Sequence, residues 1–208
     1  MAVSWINSKT EICNLALTQI GDMRINAYED VDNLNARLCR DNYDQCRDQL
    51  LRAALWAFAT TRATLTQYGS VPAFGEGYQY LLPADYLRMI SLNDIYAEVM
   101  PEDYRIEMID NFKVMVTAQD TAQIRYIYRN DTPAHYDALF VRALATTLAA
   151  SLAYTITGDA RLAEMLMVKA ERDTAKAMHE NANESKQVIK SIATDSGLVR
   201  ARHSSAIG

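Results

Sequence analysis

The sequence predicts an α+β fold that is mainly α: an antiparallel helical bundle with an inserted small antiparallel β subdomain and an extended C-terminal tail. Helical periodicity dominates both flanks of the chain, and a cluster of glycine and proline near residue 70 introduces short alternating segments. The last 25 residues are rich in Ser, Lys, Arg and Ala. We therefore assign residues 1–69 and 131–183 to the bundle, 70–130 to the β-rich insertion and 184–208 to a tail that docks on a partner.

Composition and charge limit the class of protein. The chain has 208 residues, of which 50% are hydrophobic and 23% charged, as in a soluble globular protein with one large domain or a domain with an insertion. The net charge of −5 argues against a protein that coats nucleic acid, because phosphate binding needs clustered Lys and Arg. It leaves open a channel through which DNA passes. The N-terminal residues do not have the pattern of a secretory signal.

The first predicted helix covers Lys9–Ile20. Ser8 and Thr10 are both possible N-caps, because hydroxyl side chains can accept a hydrogen bond from the free amides of a first turn. Gly21 supplies the stop signal.

The second predicted helix is longer and amphipathic. Asp30 or Asp32 can cap it, and its apolar pattern continues to about Leu55. One face carries small or apolar residues and the other carries charges (Arg40, Asp41, Asp44, Arg47 and Asp48). This pattern predicts one face in a core and one face toward solvent or a neighbour.

The β-rich insertion begins after a run of helix-breaking residues, namely Gly69, Pro72, Gly75 and Gly77. Alternating or β-branched stretches then predict strands at 78–82, 86–92, 95–100, 112–116 and 123–129. We expect the segment 118–122 between the last two strands to be a hairpin loop.

Two helices follow. The first, Asp137–Thr157, is apolar or small on almost every face and is therefore expected at the centre of the protein, with Gly158 ending it. Its length resembles that of a membrane span, but Arg142 and several Thr and Ser favour a buried helix of a soluble protein. The next helix starts at Asp159 and is predicted to end near Asn183.

The residue types that usually perform chemistry are scattered. The cysteines have no CxxC spacing, and we expect free buried thiols. The histidines have no metal-binding spacing, and we expect surface residues. These residues are Cys13, Cys39 and Cys46, and His135, His179 and His203.

No nucleotide-binding loop, nucleophile elbow or zinc-protease motif is present in the sequence. The adjacent acids Glu29–Asp30 and Glu102–Asp103 satisfy the minimum for glycoside hydrolysis, yet such pairs arise by chance among 26 acidic residues. We expect no enzyme activity and no cofactor or metal.

Tyrosine is abundant, with twelve residues against four phenylalanines, and seven of the twelve lie between residues 78 and 128. Two interpretations are equally compatible with this enrichment: a protein interface, to which tyrosine is suited, and ordinary strand propensity. Arg125 and Arg129 alternate with tyrosines, which is a weak sign of nucleic-acid binding.

Several segments, in order along the chain, resemble the tail tubular protein A family, the head-to-tail adaptors (connectors) of short-tailed phages. They are Leu55–Leu65 (LWAFATTRATL), Tyr78–Arg88 (YQYLLPADYLR), Ile124–Arg129 (IRYIYR), Ala138–Leu144 and Ala153–Gly158. The resemblance covers about residues 9–183. Each segment alone is unspecific, and the order is what carries the resemblance.

The resemblance implies a structural virion protein in the neck of the tail, assembled in the host cytoplasm as a ring of about twelve copies. Its partners would be the portal protein on one side and nozzle or fibre proteins on the other. Double-stranded DNA would pass through the lumen without specific recognition during ejection. We expect no membrane contact.

Physical reasoning assigns structural roles to four residues in these segments. Trp56 and Phe58 should fill the junction between bundle and β subdomain. Pro83 should end an edge strand, and Asp85 should accept a hydrogen bond from a nearby backbone amide.

In the tail, the portal contact is assigned to Leu198, Val199, Arg200 and Arg202, which combine apolar and basic side chains. Two other classes of function stay open: a virion-associated cell-wall glycosidase, and a DNA-binding packaging or regulatory factor. The first needs two facing carboxylates in a cleft, and the second needs a basic stripe.

Overall fold

The computed structural model describes residues 8–69, 77–96 and 104–195. They form an α+β fold whose elements, in order, are α1 (Lys9–Ile20), α2 (Leu34–Ala53), β1 (Thr60–Thr64), β2 (Tyr78–Leu81), β3 (Tyr86–Leu92), β4 (Ile95–Tyr96), β5 (Tyr104–Ile109), β6 (Phe112–Thr117), β7 (Gln123–Tyr128), α3 (Ala138–Thr157) and α4 (Ala160–Asp195). Short 3-10 helices at Ala57–Ala59 and Pro133–His135 connect helices with strands.

Helix α1 has the predicted bounds. Ser8 is its N-cap, because the Ser8 hydroxyl accepts a hydrogen bond from the Glu11 amide at 3.2 Å. Thr10 instead accepts one from the amide of Tyr28, which ties the following loop to the helix. Gly21 ends the helix with φ of 83°, a left-handed conformation that glycine adopts without steric cost.

Helix α2 is capped by Asn33, and both predicted caps, Asp30 and Asp32, are wrong. The Asn33 side chain accepts from the amide of Ala36 at 3.1 Å. Asp30 folds the preceding turn, since its carboxylate accepts from the amides of Asp32 and Asn33. Three residues with capping side chains stand within four positions here, so the sequence pattern alone could not choose between them. The helix ends at Ala53, slightly before the predicted end.

The strands form two antiparallel sheets. The first has the order β1-β7-β3-β4 and the second has the order β2-β6-β5. We did not predict β1 or β5. In β1, Thr60 lies opposite Ile127 and Thr64 opposite Gln123. Strand β1 has no large apolar residue, which is why the strand pattern is weak there, and it lies within the segment 1–69 that we assigned to the helices.

The predicted hairpin loop at 118–122 is wrong. Strand β6 pairs with β2 and β5, whereas β7 pairs with β1 and β3, so this segment crosses from the second sheet to the first. Two alternating strands around a short loop look like a hairpin whether or not they pair with each other. The crossing is held at both ends: Leu65 donates to the Ala122 carbonyl at 2.8 Å, and the Tyr80 hydroxyl donates to the Gln119 carbonyl at 3.1 Å.

The two true hairpins turn on residue pairs without glycine. Asn93 and Asp94 join β3 to β4 with φ of 49° and 63°, and Asp110 and Asn111 join β5 to β6 with φ of 48° and 67°. Positive φ at both central residues is the type I′ geometry that matches strand twist. Asn and Asp tolerate this conformation better than other residues with side chains, and the Asn93 side chain also accepts from the Gln123 amide at 2.9 Å.

The first sheet lies between the helices and the second sheet. One of its faces contributes Leu87, Ile90 and Ile127 to a large core shared with the helices. Its other face and the second sheet form a smaller core that contains Tyr80, Leu82, Tyr86, Met89, Leu92, Met115, Ile124 and Tyr126. The fold therefore has two cores on opposite sides of one sheet.

Helix α3 is the central helix, as predicted, and α1, α2 and α4 all pack against it. Asp137 caps it by accepting from the Leu139 amide at 2.8 Å, and Gly158 ends it with φ of 69°. By length and composition it could cross a membrane, with a mean hydropathy of 1.5. We interpret it as a core helix, because 56% of that stretch is buried inside the protein.

Helix α4 is longer than predicted. It continues to Asp195, so the first part of the segment assigned to an extended tail is helical. The residues after Asn183 include Glu, Lys, Gln and Ala, which are good helix formers. Polar composition led us to end the helix too early, although the helix propensity of these residues allows it to continue.

Candidate interaction surfaces

The aromatic residues after α2 join the helices to the first sheet. Trp56 is 1% exposed, its indole nitrogen donates to the Leu50 carbonyl at 2.8 Å, and its ring meets Phe140 of α3 edge-on at 5.1 Å between centroids. Phe58 packs on the same Phe140 ring at 4.9 Å. The backbone becomes extended at Ala54. Trp56 and Phe58 therefore lie between α2, α3 and β1, where they contribute packing.

Pro83 and Asp85 shape the turn from β2 to β3. Strand β2 lies at an edge of the second sheet and ends before Pro83, whose carbonyl accepts from the Tyr86 amide at 3.0 Å. The Asp85 carboxylate accepts from the Tyr126 hydroxyl at 3.1 Å, so our expectation of a backbone-amide donor is wrong. The Asp85 backbone carbonyl accepts from the Arg129 amide. Burial and the nearby Asp85 raise the pKa of Tyr126 to about 12.

A buried arginine links α1, α2 and the segment after β7. Arg47 is 2% exposed and forms ion pairs with Asp44 at 2.9 Å, with Asp48 at 2.8 Å and with Asp131. Lys9 also pairs with Asp131 at 2.8 Å. The Nε of Arg47 donates to Asp48, and its Nη1 donates to Asp44 and Asp131. The cluster is a structural network in which both cations, Arg47 and Lys9, are paired with carboxylates.

The candidate catalytic and metal-binding residues are dispersed. All three cysteines are free and buried, as predicted, and the hydrogen bond to Cys39, followed by burial, raises the pKa of Cys13. Within the described part of the chain, no group of three His, Cys, Asp or Glu side chains could hold a metal ion. Of the acidic pairs, Asp30 serves the turn before α2, and Glu102–Asp103 lie outside the described residues.

A basic cleft of about 510 Å³ opens where α2 meets the two sheets. Arg52 at the end of α2, Arg88 of β3 and Lys113 of β6 line it, together with Tyr86 and Tyr104 and with Leu87, Met89 and Ile106. The described residues that line it include no carboxylate. No sequence pattern predicts this cluster, because its three cations are far apart in the chain and meet only where α2 packs beside the two sheets.

A second opening is a groove of about 640 Å³ between α2 and α4, with α3 as its floor. Its walls are mixed, with the apolar or small side chains of Leu50, Ala150, Met167 and Met178 beside the polar side chains of Asn42, Gln45, Gln49, Thr147 and Glu171. The groove is open along one side of the central helix.

Exposed apolar side chains concentrate in three segments. The loop between α1 and α2, with the first residue of α2, carries Met23, Val31 and Leu34. The hairpin of β5 and β6 carries Ile106, Met108 and Phe112, and α4 carries Met165, Met167 and Val168. Each of these side chains is between 42% and 80% exposed. Single exposed apolar residues are ordinary, but grouped ones mark contact surfaces.

The predicted portal-contact residues, Leu198, Val199, Arg200 and Arg202, lie outside the described residues. Their role stays a prediction.

Comparison of the chain with known protein families gave no match, and no curated protein matched it either.

Proposed function

We propose that this protein is a structural component of a short-tailed phage virion, a ring-shaped adaptor between the portal and the tail. The observation that carries the proposal is the order of the segments Leu55–Leu65, Tyr78–Arg88 and Ile124–Arg129 along one chain, followed by the apolar helix at 138–157. In this proposal the four helices are the antiparallel bundle of that family, the two sheets are its β subdomain, and the ring contains about twelve copies.

The placement of the exposed apolar groups supports assembly into a ring. The hairpin group (Met108 and Phe112) and the α4 group (Met165 and Val168) lie on different elements, and both are exposed in the single chain. A subunit that uses two different surfaces to bind its neighbours makes a head-to-tail contact, which closes into a ring or continues as a filament. We propose that the hairpin group of one subunit contacts the α4 group of the next.

The remaining surfaces would meet the other virion proteins. The tail with Leu198, Val199, Arg200 and Arg202 would contact the portal. The opposite side of the ring would carry nozzle or fibre proteins. The acidic net charge of −5 suits a lumen through which double-stranded DNA slides, because weak attraction limits adhesion of phosphates.

Co-sedimentation with the portal of the same phage tests this function. The full chain should sediment with the portal, and a chain lacking residues 196–208 should lose the interaction while keeping its helical circular dichroism. Truncation after Asp195 spares α4 and separates loss of contact from loss of fold. A full chain that never sediments with the portal would contradict the adaptor function, and a truncated chain that docks normally would contradict only the role of the tail.

A further inference from the structure

The basic cleft between α2 and the two sheets has the properties of a binding site for an anion, and the adaptor function does not require it. Its lining places Arg52, Arg88 and Lys113 around one opening of about 510 Å³. In a chain with a net charge of −5, a cleft lined by three cations and, among its described lining residues, by no carboxylate departs from the average surface. Its volume lies in the range of small-molecule sites.

The cations are held in different ways. Arg52 donates to the Leu87 carbonyl, and Arg88 donates to the Arg52 carbonyl at 3.1 Å, so backbone contacts fix the two guanidinium groups in place. The Lys113 ammonium lies 5.6 Å from the centre of the Tyr86 ring, and within the described residues it makes no ion pair or hydrogen bond. The cleft thus combines two positioned guanidinium groups with a lysine that can reach a ligand.

The tyrosines supply a ring surface beside these charges. Burial raises the pKa of Tyr86, and the nearby Arg52 and Arg88 oppose that rise. Burial also raises the pKa of Tyr104, and Arg88 again opposes it. Both phenols therefore stay neutral and add no negative charge to the cleft at neutral pH. Half-buried Tyr104 and the exposed part of Ile106 form an apolar wall on which a flat ring can stack.

We propose that this cleft binds a nucleotide, with its phosphate at Arg52, Arg88 and Lys113 and its base against Tyr104 and Ile106. Arginine and lysine are the usual protein ligands of phosphate. The combined charge of the three cations suits a phosphate dianion as ligand better than it suits a single carboxylate. The neighbouring tyrosine favours a ligand that carries a planar ring. The nucleotide can be free or part of single-stranded nucleic acid, because both present an anionic phosphate beside a base.

Calorimetric titration of the full chain with four probes tests this proposal. The probes are inorganic pyrophosphate, a nucleoside diphosphate, a short single-stranded oligonucleotide and a polyglutamate peptide. We expect the nucleoside diphosphate to bind more tightly than pyrophosphate, since only the former has a base to stack. Tighter binding of the oligonucleotide would identify a nucleic-acid strand as the source of the phosphate, and tighter binding of the diphosphate would identify the free nucleotide.

Lys113→Gln should weaken nucleotide binding about tenfold at low salt, because it removes one charge-assisted contact. The matched control is Lys176→Gln, which removes an exposed lysine on α4, outside the cleft, and should change the affinity less than twofold. A second variant, Tyr104→Leu, should weaken the diphosphate and leave pyrophosphate unchanged. Absence of binding by the three phosphate probes, equal affinity of Lys113→Gln and wild type, or a preference for polyglutamate would each overturn the proposal.

Discussion

The two cores on either side of the first sheet differ in size and in chemistry. The helical core is large and built mostly from Ala, Leu, Ile and Val side chains around α3, with an aromatic group at Trp56 and Phe140. The core between the sheets is smaller and rich in tyrosine and methionine, including Tyr80, Tyr86 and Met115. Tyrosine keeps a polar group that needs a partner, whereas the helical core has few such groups.

This difference indicates that the helical core provides most of the stability and that the sheets provide contact surfaces. The helices carry the larger of the two cores, and hydrophobic stabilisation grows with buried apolar area. The sheets are short, and β5 lies at an exposed edge with apolar side chains at its hairpin. We infer that the helical side is the scaffold and that the sheet side presents the basic cleft and one of the proposed ring contacts.

The largest effect is expected in the helical core. Trp56→Ala should lower the free energy of unfolding by about 3–5 kcal/mol, because it leaves a cavity beside Phe140 and removes the bond to the Leu50 carbonyl. Urea unfolding followed by circular dichroism measures it. Trp56→Phe is the matched control and should cost less, because it keeps an aromatic ring at this position. If both variants unfold at the urea concentration of the wild type, Trp56 does not hold the junction.

In the sheet core, Met115→Ala should cost about 2–5 kcal/mol, since Met115 is fully buried. The location of the destabilisation distinguishes the two cores. Hydrogen exchange should accelerate in β2, β5 and β6 while the amides of α3 remain protected. Equal acceleration in α3 would mean that the two cores unfold as one unit and that scaffold and surface are not separate.

The buried guanidinium of Arg47 ties α2 to the chain after β7 through Asp131. Arg47→Met should cost about 1.5–3 kcal/mol, because it removes charge-assisted hydrogen bonds to Asp44, Asp48 and Asp131. Thermal unfolding measures the change. The matched control is Arg129→Met, which breaks a more exposed pair with Asp48 and should cost below about 1 kcal/mol. A reversed order of the two costs would contradict the structural role of Arg47.

The raised pKa of Tyr126 makes the stability of the sheet core depend on pH. Its pKa is raised to about 12 in the fold, above the ordinary value of 10, so the unfolded chain loses the phenol proton first as the pH rises. Stability should therefore fall between pH 10 and 12. Tyr126→Phe should cost about 0.5–1.5 kcal/mol at pH 7, through the lost bond to Asp85, and should make the alkaline fall shallower. An unchanged alkaline slope in the variant would contradict this assignment.

Charges placed on the exposed apolar groups should barely change stability, within about 0.5 kcal/mol, but should change association. Phe112→Lys would block the hairpin surface and Val168→Lys the α4 surface. If the ring is head-to-tail, neither variant assembles alone. A mixture of the two stops at a heterodimer, because each variant keeps only one of the two contact surfaces. Sedimentation velocity measures these species under conditions where the wild type forms rings. Self-pairing of either variant would show a two-fold symmetric contact instead and would contradict the head-to-tail arrangement.

The parts of the fold that the sequence predicted are those with a local signal. Helix α1 between Ser8 and Gly21, the central helix α3 and strand β3 follow from capping residues and periodicity. The pairing of β6 with β2 and not with β7 depends on contacts between distant segments, which no local pattern contains. The continuation of α4 to Asp195 was missed because its composition resembles that of a flexible tail.

The surfaces were harder to predict than the elements. The roles of Trp56 and Phe58 were accessible because aromatic residues at a helix end signal a packed junction. The hydroxyl donor to Asp85 was not, because Tyr126 lies on a strand 41 residues away. The cluster of Arg52, Arg88 and Lys113 shows the same limit, since each residue alone is an ordinary surface cation.

Negative-stain electron microscopy of the purified chain, alone at increasing concentration and mixed with the portal of the same phage, tests the proposed ring most directly. We expect monomers or weakly associated subunits from the chain alone and a ring with an axial hole when the portal is present. Subunits that remain monomers or closed pairs under every condition, with no ring on the portal, would contradict it.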